Sequence, residues 1–394
     1  MKHRTGAAAL VTMLLGCGSA WAGEVQYGAT SFTWSGYAKL DVLFSRFSEG
    51  EVAQGVGRDF YVPATIPVSA GGGKAYEAFD THVKESRLVL RTATPLSTGE
   101  VVSTHLELDF IVNQGAANEQ ITNAYNPGLR RYFVTYGNWL LGQEWTTFMN
   151  LDNVPDTLDF VCYASEGAVL GRQPMVRYGG ARWAVALENT ETSLLTPAAA
   201  PATAGTGDGV LPDLASNIRF KVGRAHLMLA GLLRQLRIDN AASAAGPAVR
   251  SSAVGGGASL SGRIGLGAAD DIRFVLSAGA GLGRYVALGT VADAVLDDGE
   301  LKAIPLLAGM LAYRHPWNPQ WRSTVMLSQF DADNDTALTG TNVTRRVRSA
   351  TVNLLYSPFS RLTLGMEYRH AQRELEDGRD GHLDRVQFSS RYSF

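Results

Sequence analysis

The residues that could do chemistry in this chain are its arginines. There are 29 of them against 6 lysines. Base composition of a genome also raises arginine over lysine, so placement and not the ratio carries the argument. Arg87, Arg91, Arg219, Arg263, Arg273, Arg322 and Arg369 each fall on the polar side of a stretch that alternates polar and apolar residues, and Arg172 and Arg177 sit in GRQPMVRY. A guanidinium is a fixed, planar, five-donor cation that grips a carboxylate or phosphate with two parallel hydrogen bonds. Asp152, Asp156, Asp159 and Glu166 lie together in one long connection. Acid on such a loop facing arginine on a wall would set a transverse field across an opening. The plainer reading is that some of these pairs only pin the loop to the wall.

Other chemistry has little support. The seven histidines show no H-x-x-x-H spacing, and no G-x-S-x-G is present. Gly279, Gly281 and Gly283 sit inside an alternating stretch with no helix after them, so close packing explains them better than phosphate binding. No catalytic residue, metal or cofactor is expected. An enzyme built on a membrane barrel would need Ser, His and an orienting group on the lipid face, and the sequence offers no recognisable set.

The elements that must position the arginines are strands. FTWSGYAKLDVLF places Trp34, Ala38, Leu40, Val42 and Phe44 on one face and Tyr37, Lys39, Asp41 and Ser45 on the other. This period of two runs longer than in most globular strands. The pattern repeats to the last residue. Seven short turns (PLSTG, YGN, YGG, VGRA, GAADD, RHPWNPQ and SPFSR) alternate with seven longer connections, and one more long joint precedes the last strand. An even set of sixteen strands with short turns on one side and long loops on the other describes an all-β, antiparallel transmembrane barrel. Trp34, Trp139, Trp183, Trp317 and Trp321 near strand ends fit interfacial girdles.

One connection, from Phe148, is too long for a turn. It is also too apolar to hang in water, with Leu151, Val154, Leu158, Phe160, Val161, Val169 and Leu170. Such a loop packs onto something. We expect residues 148–170 to fold into the lumen and narrow it.

The N-terminus reads as an export signal over residues 1–22: basic Lys2, His3 and Arg4, a short apolar core, and Ala20-Trp21-Ala22 before Gly23. The barrel then occupies 23–394 as one domain. A lipoprotein reading through Cys17 meets the bulky Leu15 two residues earlier. Without the signal one cysteine remains, Cys162, so no intramolecular disulfide can form. The net charge of -2 is too near neutral for a nucleic-acid binder.

The order and spacing of several motifs resemble the DcaP-like porins: FYVPATIPV at 60–68, KESRLVLRTATP at 84–95, LLGQEWTTFMN at 140–150, PDTLDF at 155–160, GRQPMVRY at 171–178 and GRYVALGTVADAVLDDGELKAIP at 283–305. The resemblance implies a trimeric, sixteen-stranded outer-membrane channel for dicarboxylates and other small anions. The partners it implies are such solutes, outer-membrane lipid and lipopolysaccharide, two further copies of the chain, and the outer-membrane assembly machinery. The last strand, DRVQFSSRYSF, carries the terminal aromatic, Phe394, that resembles the assembly signal, with Ser390 a departure from it. Some family members carry an N-terminal coiled coil, for which the short stretch after Gly23 leaves no room. A general or sugar-preferring porin stays open as the alternative.

Overall fold

The computed structural model describes residues 23–112, 122–196, 202–240 and 248–394. The proposed signal segment lies outside the described residues. Sixteen antiparallel strands close on themselves. They are β1 (Thr30–Phe47), β2 (Tyr76–His82 continued by Arg87–Pro95), β3 (Val101–Asp109), β4 (Gly128–Tyr136), β5 (Trp139–Trp145), β6 (Arg172–Gly179), β7 (Trp183–Glu188) and β8 (Asp213–Val222). The second half comprises β9 (Ala225–Asn240), β10 (Val249–Leu266), β11 (Asp270–Ala280), β12 (Pro305–Pro316), β13 (Trp321–Ala332), β14 (Thr344–Phe359), β15 (Leu362–Leu375) and β16 (Asp380–Ser393). The seam is β1 against β16, and Phe394 exchanges backbone hydrogen bonds with Gly36 at its end. An N-terminal strand, Gly23–Tyr27, pairs with β1 directly below that point.

All seven short turns fall where the sequence places them. The last long joint does not: residues 376–379 alone connect β15 to β16. Tyr76–His82 pairs with β1, so the connection after β1 spans only residues 48–75. Short turns face the periplasm and long loops the exterior in this architecture. All five tryptophans assigned to girdles are exposed, and they cluster on the turn side, forming one belt there.

The outer wall of β1 is apolar from Trp34 to Phe44 and ends at Arg46. Ten residue steps of about 3.3 Å at a tilt of about 40° climb about 25 Å, the height of the apolar band of such barrels.

The inner wall departs from simple alternation. On β9 the inward Met228, Ala230 and Leu232 are buried while the outward Leu229 and Leu233 are exposed, so both faces are apolar. Inward residues of β8, β9 and β11–β14 form one core with Phe148, Met149, Tyr163, Ala164, Ala168, Val169 and Leu170. The loop covers an apolar inner wall, which accounts for its own apolar content. Gly167 is pressed against Gly309 of β12. A Cβ on Gly167 would lie 2.5 Å from the Gly309 carbonyl oxygen, so a side chain there would push the loop off the wall.

Candidate functional site

The connection between β5 and β6 circles inside the barrel. Asn150 Nδ2 donates to Ser261 Oγ of β10 at 3.0 Å, and Asn153 Nδ2 donates to the Phe274 carbonyl of β11 at 2.7 Å. Further along, Asn353 of β14 donates to the Asp156 carbonyl at 2.8 Å. The Leu158 peptide is then held from three sides. Its N–H donates to Glu367 of β15 at 2.9 Å, and its carbonyl accepts from Lys39 Nζ of β1 at 2.6 Å and Gln387 Nε2 of β16 at 3.1 Å. The loop then returns past β13, where Ser328 donates to Glu166, and reaches the loop after β11 through a bridge between Val169 and Val286. Residues 48–75 also fold inward: Asp159 accepts from the Tyr61 N–H at 2.9 Å, and Ser165 donates to the Tyr61 carbonyl at 3.0 Å. That this first loop joins the plug is not legible in its residues.

The loop hugs β8–β16 and leaves β2–β6 facing it across the lumen. On that open sector Arg87 stands 3.4 Å from Glu107 and 3.7 Å from Asp109, under the ring of Tyr37. Arg130 and Arg131 both turn inward. A register shift after Glu107 leaves Arg130 as an extra residue on β4, and a bulge of this kind aims two neighbours the same way. Arg130 pairs with Glu107 at 2.7 Å and Asp109 at 2.5 Å, and Arg131 with Glu144 at 2.5 Å. Trp145 lies between two guanidiniums, Arg172 at 5.1 Å and Arg130 at 5.8 Å. Arg172 differs from its neighbours in making no ion pair among the described residues; its Nη1, like Arg87 Nε, is enclosed without a hydrogen-bond partner. Arg91 donates to His105 Nδ1 at 3.0 Å. Arg177 donates to Thr147 Oγ1 at 2.8 Å and to the Trp145 carbonyl, so it is half a loop pin.

A second sector lies below the loop tip. Arg322 Nε donates to Asp156 at 2.5 Å, with Arg314 3.5 Å from the same carboxylate. Arg273 and Arg263 pair with the buried Asp271 at 2.6 Å and 3.0 Å. Arg219 is 4.0 Å from Asp152, and both remain substantially exposed.

The expected acidic set therefore divides. Asp152 and Asp156 face arginines. Asp159 and Glu166 do not line an opening: both are buried, and they hold the loop to Tyr61 and Ser328. Arg369, expected to face water, is also buried, with its guanidinium 4.4 Å over Tyr61. Alternation reports which face a residue is on and not what covers that face. Arg130, Arg131 and Arg314 join the inward set without having been assigned to it.

On the outer wall at the turn side, Ser323 opposes His315, whose Nδ1 is 2.9 Å from Asp270. Ser323 Oγ accepts from Trp317 Nε1 at 3.0 Å, and among the described residues no hydrogen bond joins it to His315. The cluster has the residue types of a triad without its geometry. Among the described residues no group of His, Cys, Asp and Glu is placed to hold a metal ion, and no helix is long and apolar enough to cross a membrane.

Asp156 makes the loop tip pH-sensitive in a defined direction. Burial works against its charge, but Arg322, then Arg314 and Arg391, outweigh burial and hold the carboxyl below its ordinary range. A lowered folded-state pKa gives stability that is complete above the unfolded value of about 3.9 and is lost as the pH falls through the folded value. Open-channel current noise is therefore expected to stay constant from neutral pH down through the ordinary carboxylate range. It should rise only below that range. A rise already at mildly acidic pH would show that Asp156 does not anchor the tip.

The family model for the DcaP outer membrane protein matches residues 63–394. No curated protein matches the chain in sequence. Among solved structures, the outer membrane channel DcaP of Acinetobacter baumannii is similar at 21% identity, covering 95% of this chain and 100% of that one, with a TM-score of 0.75. The anion-selective porin from Comamonas acidovorans is similar at 14% identity, with coverage of 93% and 100% and a TM-score of 0.57. OmpT of Vibrio cholerae is similar at 10% identity, with coverage of 94% and 100% and a TM-score of 0.56. At such identities the likeness to these structures is one of fold. A closed barrel of sixteen strands, an inserted loop and a family match over most of the chain lead to one statement: the chain belongs to the DcaP outer membrane protein family and is an outer-membrane porin channel.

Proposed function

We propose that this channel prefers small anions, dicarboxylates first, and that Arg87, Arg91, Arg172, Arg177, Arg219, Arg263 and Arg322 supply the charge that favours them. The observation that carries the reading is Arg172. Most arginines around it have a carboxylate partner of their own, while its Nη1 is enclosed beside Trp145 with none. The rest of this half-buried guanidinium makes no ion pair or hydrogen bond among the described residues, so its charge is left for a carboxylate passing through. The selectivity is electrostatic, since the lumen offers charge and no covalent chemistry, and Asp152 and Asp156 complete a transverse field. The family resemblance adds that three copies assemble, that the outer wall meets lipid and lipopolysaccharide, and that Phe394 is read by the assembly machinery.

Liposome swelling tests the reading. Arg172→Gln and Arg219→Gln together are expected to slow uptake of a dicarboxylate several-fold and to leave neutral sugar flux unchanged. Equal slowing of both solutes, or of neither, returns the channel to a general porin.

A further inference from the structure

A cleft of 470 Å³ opens at the turn side, between the start of the inserted loop at Asn150 and Asp152 and the ends of β7, β8 and β9. Its charged and polar lining is Asn150, Asp152, Arg182, Arg219, Lys221 and His226. Three of these are permanent cations, and Asp152 is the single acid. Asp152 stands at the limit of an ion pair with Arg219, at 4.0 Å, and is itself largely exposed. Arg182 and Lys221 have no ion pair or side-chain hydrogen bond among the described residues. They are also exposed, so no fold contact explains their charge. Strand pairing holds the group together: Lys221 opposes His226, and His226 opposes Arg263 on the next strand. Arg219 and Lys221 are two positions apart on one face, about 6.5 Å along the strand. That spacing suits the two ends of a short dicarboxylate better than a single monovalent anion.

We propose that this cleft is a second anion station at the periplasmic mouth, binding small dianions separately from Arg172. It rests on the anion-preferring reading above. The two stations lie at different depths, Arg172 at the loop end of β6 and the cleft at the turn end of β8 and β9. A dianion leaving the first meets the second before it reaches the periplasm. Conduction also requires that neither site bind too tightly to release, which the exposure of Arg182 and Lys221 ensures.

The test is single-channel recording in KCl with succinate added to one side of channels inserted in one orientation. Wild type and Arg182→Gln/Lys221→Gln are compared. Neither residue pins the loop or pairs with an acid, so the double variant is expected to fold. Succinate at the turn side should interrupt the wild-type current. In the double variant the apparent affinity from that side should fall about tenfold, the effect of losing two nearby cations in a partly screened site. Block from the loop side should be unchanged, and the reversal potential should keep the sign set by the anion. Identical turn-side block in both proteins, with anion preference intact, overturns the station and leaves the channel reading standing. Absence of anion preference in the wild type overturns the reading on which the station rests, and the station with it.

Discussion

Arg172→Gln is expected to lower the chloride-over-potassium permeability ratio about tenfold at low salt, with conductance in neutral-solute assays unchanged. The argument is one of isolated charge. Arg87, Arg130 and Arg131 are each within ion-pair distance of Glu107, Asp109 or Glu144, so much of their field is already spent. Arg172 faces Trp145 with an enclosed and unpartnered nitrogen. A unit charge about 4 Å from a permeating ion is worth about 1 kcal/mol in bulk water and about 4 kcal/mol near a protein surface. A value of about 1.4 kcal/mol already gives a tenfold ratio. Removal breaks no ion pair, so the wall keeps its shape. Arg87→Gln would be less clean, because it uncovers Glu107 and Asp109. The Arg172 effect should fade toward 1 M salt, where the Debye length is about 3 Å. A ratio equal to that of the wild type at low salt would mean that Arg172 does not face the permeation path.

Lys39→Met is expected to release the inserted loop. Lys39 Nζ holds the Leu158 carbonyl at 2.6 Å while pairing with Asp41 at 3.2 Å and with Glu85. All three charged groups are buried. Removing one partner of a buried charge set costs about 3–5 kcal/mol, because the remaining charges lose their compensation. The folding midpoint in urea should drop accordingly, and the open channel should become noisier as residues 155–160 move. Lys39→Met with Glu85→Gln should recover part of the stability, since one stranded acid is gone, and should keep the noise, since the Leu158 carbonyl is still unheld. A quiet channel in both variants would place the loop's anchorage elsewhere, at Asn353 and Glu367.

Much of this was legible in the sequence, and what was not has physical causes. The barrel could be read because water on one face and lipid on the other impose a period of two, as along Trp34 to Phe44. The inserted loop could be read because its apolar residues required a surface to pack on. The surface itself carried a quieter signal, HLMLAGLL at 226–233, where apolar residues on both faces mark a wall covered on the inside. Arg130 and Arg131 were ambiguous because the bulge on β4 depends on pairing with β3, a contact distant in sequence. Arg369 sits on a face that alternation assigns to the lumen, and Asp159 and Glu166 on the inserted loop, yet tertiary packing of residues 48–75 and 146–171 buries all three. Parity gave the direction of each side chain. Whether that direction ends in water, in a pin or in the cleft below Asp152 depended on loops folding back across the barrel.

The central claim, that arginine charge in the lumen sets an anion preference, is tested most directly by the zero-current potential of the wild-type channel in a KCl gradient. The expected result is a potential with the sign set by chloride, shrinking as the salt on both sides is raised. A potential of the opposite sign, or none at low salt, would contradict it.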